Sequence, residues 1–450
     1  MALTSRNDFS KGSVIKNIIS LAIPMTLAQL ITILYNIVDR IYIGRFGADA
    51  SNALTGMGVC FPVISIIMAF ANLVGMGGAP LFSIRRGEGR TDEAQKIMCN
   101  SFTLLIISGI ALTITGLLVK VPVLRLLGAS DATFPHADRY ISIYLLGTLF
   151  VMISLGMNTF INAQGFGKTG MTTVILGAGL NIILDPIFIF VLNLGVSGAA
   201  IATVISQLVS SVWTFLFLTG KRTICRINIA DMRLKLSRVK SIMALGIAGF
   251  MMQVTNGSVQ MVCNATLAKW GSDSYIGIMT IINSVREVLW LPVLGLSNST
   301  QPIIGFNYGA GEYQRVKTAI RFMVTVVVII GCVTWLAVVL FPTAFLGIFT
   351  TDPAILSDGV RCMHIYFFGF FLMGLQASGQ TVFTGLGKSK QAVFFSILRK
   401  GIIVIPLTIF LPFIFGVDGV FIAEPVSNLL GGAACFLTMY FTVYRHLGSV

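Results

Sequence analysis

The chain has 450 residues, of which 55% are hydrophobic and only 11% charged, with a mean hydropathy of +0.88. Soluble domains carry about 25% charged residues, so a soluble enzyme or binding module is excluded and an integral membrane protein is indicated. The net charge of +14 raises the idea of a nucleic-acid binder, but the distribution of the basic residues points to a membrane topology instead.

Apolar stretches predict transmembrane helices over residues 15–44, 53–80, 96–119, 137–162, 171–192, 196–219, 241–268, 275–302, 317–340, 360–385, 391–414 and 419–443. Each can cross about 30 Å of hydrocarbon. Residues 1–13 are polar, and the first apolar run carries Asp39 without an evident cleavage site, so a cleaved signal peptide is not expected. The first span holds Pro24 and Asp39, the fifth Asn181, Asp185 and Pro186, and the sixth Thr203. Between spans six and seven, Lys221–Lys240 carries seven basic residues and one acid, Asp231. Its alternation of apolar and basic residues fits either an amphipathic segment on the membrane surface or a solvated loop.

With the N-terminus inside, about 21 of the 31 Lys and Arg residues fall in inner loops and tails. Lys120, Arg125, Arg139, Lys269 and Arg361 fall outside, and Arg40, Arg45, Arg286, Arg399 and Lys400 lie within spans. This positive-inside bias places both termini in the cytoplasm. Seven cysteines show no Cys-x-x-Cys spacing and read as free apolar core residues.

The chain repeats itself. Leu21-Ala-Ile-Pro24 through Phe46-Gly47-Ala-Asp49 matches Leu245-Gly-Ile-Ala248 through Trp270-Gly271-Ser-Asp273 at an offset of 224. Pro80 and Arg86-Gly-Glu-Gly89 match Pro302 and Tyr308-Gly-Ala-Gly311, and Ile143-Tyr-Leu-Leu-Gly147 matches Ile365-Tyr-Phe-Phe-Gly369. Gly165-Phe-Gly-Lys168 pairs with Gly385-Leu-Gly-Lys388, Pro186 with Pro406, and Gly195-Val-Ser-Gly198 with Gly416-Val-Asp-Gly419. These matches imply two six-helix lobes, 1–220 and 241–450, joined by a basic linker at 221–240 and related by a pseudo-two-fold axis along the membrane normal. The paired glycine motifs lack the full Gly-x4-Gly-Lys-Ser/Thr spacing and read as tight inner turns rather than phosphate loops, so an ATP-driven pump is not expected.

A carboxylate at membrane depth costs about 2.5–3.5 kcal/mol on insertion scales, so Asp39 and Asp185 require a partner, a cation or water. On the repeat, Asp39 falls opposite Cys263 and Asp185 opposite Ile405; the fold itself does not need the acids. The second half instead has Arg286, Glu287, Arg399 and Glu424, expected to neutralise one another, with Glu287 alternatively meeting cargo. Asn181 and Asp185, four residues apart, share a helical face, and Pro186 frees a backbone carbonyl one turn earlier. With Thr203 from the next helix, these oxygens could hold Na+ or share protons.

The tract from Pro24 to Asp39-Arg-Ile-Tyr-Ile-Gly44, the Asn181-x-x-x-Asp185-Pro186 segment and the paired six-helix units resemble the multidrug and toxic compound extrusion (MATE) family, with the bacterial MepA-like or DinF-like branches nearest. The resemblance implies an all-α integral membrane protein of twelve transmembrane helices and an ion-coupling site at Asp39, Asn181, Asp185 and Thr203. It also implies a first helix bent near Pro24 and a secondary antiporter of the inner or plasma membrane, without cofactor. Such an antiporter exports amphipathic, often cationic compounds in exchange for H+ or Na+. The chain departs from the NorM-like pattern of acids on helices 7 and 10, having Gln253, Gln260, Gln376 and Gln380 there. Met152, Met157, Phe160, Met171 and Phe188 are candidate cavity residues in the first half, and Gln253, Gln260 and Glu287 in the second; contact with membrane lipid and a monomeric state are expected. A lipid-linked saccharide flippase is the alternative transporter, disfavoured because its cavity should carry arginines for pyrophosphate. An intramembrane aspartyl hydrolase lacks its Gly-x-Gly-Asp tract.

Overall fold

The computed structural model describes residues 8–43 and 50–448 and, among these, is built of helices without a strand. Gly44, Arg45 and the Phe46–Asp49 part of the repeat lie outside the described residues. In chain order the helices are α1 (Val14–Ile43), α2 (Ala50–Gly87), α3 (Thr91–Leu126), α4 (Phe134–Leu146), α5 (Thr148–Ala163), α6 (Gly167–Pro186) and α7 (Val196–Thr219). They continue with α8 (Leu236–Trp270), α9 (Asp273–Gly309), α10 (Tyr313–Leu340), α11 (Pro342–Gly347), α12 (Pro353–Tyr366), α13 (Phe370–Gly385) and α14 (Ser389–Ile397). The last are α15 (Ile405–Phe410), α16 (Pro412–Phe415), α17 (Asp418–Ser427) and α18 (Ala433–Thr442). Three wide turns of π type occur, at Ile187–Val191, Leu398–Val404 and Asn428–Gly432.

Ten spans are long and apolar enough to cross a membrane among the described residues, and twelve if each of two bent pairs counts as one. The bent pairs are α4 with α5, at 56°, and α12 with α13, at 45°. Both bends fall on the repeated Ile-Tyr-x-x-Gly motif, at Gly147 and Gly369. The helices run past the apolar stretches because their polar ends, such as Arg85 and Arg86 on α2, continue the helix beyond hydrocarbon depth. On α3, Ile110, Ile114 and Leu118 stand one turn apart and are 48%, 55% and 77% exposed. Such an outward apolar stripe is what a helix shows to lipid. The protein is a multi-pass membrane protein.

The chain forms two compact units: Leu27–Gly246, and Phe9–Thr26 together with Ile247 onward. The opening turns of α8 thus belong to the first unit, and the opening half of α1, with Pro24, to the second. In the first unit Gly77 and Gly246 bring α2 and α8 together, since a Cβ at Gly246 would strike the Leu73 carbonyl. Gly75 meets Gly156, and Phe82 packs edge-on to Phe160 with centroids 5.6 Å apart. Small residues at helix contacts let backbones approach where no hydrophobic force drives helices together in lipid. In the second unit Phe9, Val14, Ile18 and Leu21 pack with Val293, Ile303 and Phe306. Arg315 fixes this segment by donating to the carbonyls of Phe9 and Gly12 at 2.8 and 2.9 Å.

Turn geometry sharpens the repeat. Gly89 and Gly311 have φ of 76° and 75°, and Gly165 and Gly387 have 88° and 69°. The turn glycine matching Gly165 is therefore Gly387, two residues later than motif matching pairs them; Gly385, lying inside α13, is not the turn residue.

The linker is a docked strap. Gln164, fully buried, accepts from Thr223 Oγ1, Ile224 N and Cys225 N at 2.8–2.9 Å. Asn100 Nδ2 donates to the carbonyls of Asp231 and Arg233 at 3.0 and 3.1 Å. Cys225 is buried, and burial pushes its thiol up to about 11, which makes it a packing residue. Gln164→Leu should leave two backbone donors, Ile224 N and Cys225 N, unpaired, at about 1–3 kcal/mol for each that stays buried, while the Thr223 hydroxyl keeps the Cys225 carbonyl as acceptor at 3.0 Å. The expected outcome is a lower unfolding temperature and faster tryptic cleavage at Lys221 and Arg222; an unchanged cleavage rate would contradict the strap.

Candidate ion-coupling site

Asp39 lies near the end of α1, on one face with Thr32 and Tyr35 at i, i+3 and i+7 spacing. Asp185 is fully buried at the end of α6, where Pro186 leads into the wide turn Ile187–Val191. Wide turns of this type gather at functional positions because they redirect side chains and loosen the backbone ladder. Asn181, 2% exposed, donates from Nδ2 to Asp185 Oδ1 at 3.2 Å and to Thr203 Oγ1 at 3.4 Å. The Thr203 hydroxyl in turn donates to the Ala199 carbonyl at 2.9 Å. Asp39 and Asp185 approach side chain to side chain, with Tyr35 beside both. Two carboxyls hold such a contact when they share a proton or when a cation lies between them.

Three buried acceptors here have no hydrogen-bond partner: Asp39 Oδ1, Asp185 Oδ2 and Asn181 Oδ1. A buried polar atom without a partner costs about 1–3 kcal/mol, and three at one place mark a cluster short of protons or cations. The donors are hard oxygens, suited to H+ or Na+ rather than to a soft metal. Arg40 does not supply the missing charge by contact; it is exposed, with its guanidinium 4.8 Å from the Phe61 ring centroid. All four residues read from the sequence are thus gathered in the first unit.

Beside them is a cavity of about 130 Å³ lined by Thr32, Tyr35, Met68, Ser154, Asn158, Asn181, Thr203, Ser206 and Gln207, among others. Ser154 donates to Gln207 Oε1 at 2.8 Å, and Asn158 Oδ1 and Ser206 Oγ add unpartnered atoms. Sequence reasoning missed Tyr35, Asn158 and the polar stripe of α7. The stripe's period, Thr203, Ser206, Gln207 and Ser210, was visible in the sequence. The sequence-based cavity residues sit elsewhere. Met152, Met157 and Phe160 are fully buried in the lobe core, and Met171 and Phe188 are half-buried off the cavity wall. The wall combines polar side chains with other apolar residues, Met68, Val151, Leu155 and Val174.

In the second unit Gln260 accepts from Asn283 at 3.0 Å and donates to Asn264 at 3.2 Å, while Gln253 is exposed. Gln376 and Gln380 donate to the Phe395 and Ala392 carbonyls, bracing α13 against α14. The expected pair of Arg399 with Glu424 forms at 3.0 Å. Glu287 is exposed and does not pair with Arg286, which donates to Tyr366 OH at 2.7 Å. Adjacent residues on a helix point about 100° apart, which separates the two. Lys400, which sequence reasoning left unpaired, binds both Glu424 oxygens at 2.9 and 3.0 Å. Cys263, opposite Asp39 in the repeat, meets Thr408 at 4.0 Å. Thr408, three residues past Ile405, thus makes the contact with Cys263 from the helix that follows the wide turn Leu398–Val404.

A duplicated helical membrane protein with a proton- or cation-deficient carboxyl cluster in one repeat has the makings of an ion-coupled transport protein. The comparisons fix the family. The MatE family model matches twice, over residues 24–187 and 248–410, and the chain belongs to this family of membrane transport proteins. The chain is 28% identical over 438 residues to the multidrug export protein MepA of Staphylococcus aureus strain N315, covering 96% of this chain and 95% of that protein. It is 26% identical over 441 residues to MepA of Staphylococcus haemolyticus strain JCSC1435, covering 97% and 94%. A solved structure described as the outward-facing conformation of a multidrug resistance MATE family transporter of the MOP superfamily superposes with a TM-score of 0.91. It shares 25% identity, with 98% of each chain covered.

Placement of Met152 in the core gives a test: Met152→Ala should destabilise the protein by about 2–5 kcal/mol through the cavity it leaves. An unfolding temperature equal to wild type would contradict that packing.

Proposed function

We propose that this chain is a secondary antiporter of the bacterial plasma, or inner, membrane that exports amphipathic, often cationic compounds in exchange for H+ or Na+. The carrying observation is the group of three unpartnered buried acceptors around Asp39 and Asp185. The names of the relatives, multidrug export proteins, support the cargo class. Asp39, Asn181, Asp185 and Thr203 form the ion-coupling site, and the positive-inside distribution puts both termini in the cytoplasm.

Ion and cargo are coupled because both draw on one set of negative charge. An ion taken up from outside by the carboxyl pair lowers the affinity for a cationic cargo, and cargo bound from inside lowers the affinity for the ion, by the same factor. The first-lobe cavity, about 130 Å³, is smaller than the roughly 300–1,000 Å³ of drug-sized sites. It suits ions, water and a polar end of the cargo, and the cargo body requires the wider opening of an alternating-access cycle. Pro24 removes one backbone hydrogen bond inside α1 and gives that helix its point of yield.

The test is drug export from proteoliposomes with the proton and sodium gradients imposed separately. Asp39→Asn and Asp185→Asn should each abolish gradient-driven export while the protein still inserts in the membrane. Normal antiport by both variants under either gradient would sink the proposal.

A further inference from the structure

The pocket of the second unit beside Cys263 and Thr408 has a charge opposite to that of the ion site. Cys263, opposite Asp39 in the repeat, meets Thr408 here at 4.0 Å. Gly416-Val-Asp-Gly419 through Ala423 matches Gly195 through Ala202, which puts Glu424 in register with Thr203. Into this place the wide turn Leu398–Val404 brings Arg399 and Lys400, and α9 brings Arg286. Glu424 binds Lys400 and Arg399. Arg286 has Tyr366 as its hydrogen-bond partner and lines a cavity of about 30 Å³ with Lys400, Glu424, Gln260 and Asn283.

The charges do not balance: three cationic side chains face one carboxylate. Were Lys400 to lose its proton, two guanidiniums, which stay charged, would still face one acid. Glu287, the nearest acid in sequence, is exposed. A second observation agrees. Around Glu424, outside the lining of the cavity itself, the charge cluster includes two buried donors without partners, Arg399 Nε and Asn428 Nδ2, and Asn428 is held in that orientation because its Oδ1 accepts from Arg399 at 2.8 Å. The carboxyl cluster of the first unit is short of donors, whereas the cluster around Glu424 is short of acceptors.

We infer that the second unit holds a binding site for one small monovalent anion, a halide or a small carboxylate group, between Arg286 and Lys400. A cavity needs only about 10–15 Å³ of such volume to accept one water-sized species, so about 30 Å³ fits a single small anion and not an organic acid with a large body. The inference stands apart from the antiport reading, because anion binding would persist whichever ion the first unit couples to.

The experiment is equilibrium binding of radiolabelled chloride to the purified full-length protein in detergent, at constant ionic strength held with gluconate, which is too large to enter. Saturable binding of about one chloride per chain is expected, displaced by bromide and by formate but not by gluconate. Stronger displacement by bromide assigns a halide site, and stronger displacement by formate a carboxylate site. Arg286→Gln should weaken binding at least about tenfold, as loss of one buried charged partner does. If that variant does not fold, chloride-dependent thermal stabilisation of the wild type, absent in gluconate, serves in its place. Absence of saturable chloride, bromide or formate binding to the folded wild type would overturn the inference, as would unchanged binding by folded Arg286→Gln.

Discussion

A charge buried among membrane-spanning helices has to be matched locally, and both lobes are organised by that requirement. Water cannot screen it there, and a mismatch of one elementary charge costs more than most packing contacts supply. In the first lobe the charges are carboxyls and the match is incomplete on the donor side, around Asp39, Asn181 and Asp185. In the second lobe Glu424 is saturated by Lys400 and Arg399, and beside it Arg399 Nε and Asn428 Nδ2 are donors without partners. One duplicated scaffold therefore carries two pockets whose deficits have opposite sign. A small charged species that bound either pocket more tightly in one conformation would shift the equilibrium toward it.

The scaffold achieves this with three wide turns, each placed beside a chemically active residue: after Asp185, across Arg399 and Lys400, and after Glu424. A regular α-helix would send Arg399 and Lys400 about 100° apart. Within the opened turn both reach the same carboxylate. The turns therefore determine which side chains can converge, while the apolar helices around them provide depth and rigidity.

Much of this could be read from the sequence, and the reasons are specific. The helices followed from apolar length alone, and even the bends at Gly147 and Gly369 fell on a repeated motif. Asp39, Asn181, Asp185 and Thr203 were legible because carboxylates in apolar runs are costly and because a spacing of four shares a face. What stayed hidden depended on register. Opening a turn to π geometry leaves no mark in composition, so the contact of Cys263 with Thr408 and the reach of Lys400 to Glu424 were not visible. The cavity wall was missed for a related reason: Ser206, Gln207 and Asn158 are ordinary polar residues, whereas the conspicuous Met152, Met157 and Phe160 fill the core.

The first helix of each repeat begins in the compact unit to which the other repeat contributes the rest. The duplication seen along the chain and the division seen in space therefore do not cut at the same residues. A gene split inside the strap, between residues 221 and 235, would yield two fragments that each lack a helix segment supplied by the other. The residues 9–26 and 236–246 would then be separated from the compact units that they join.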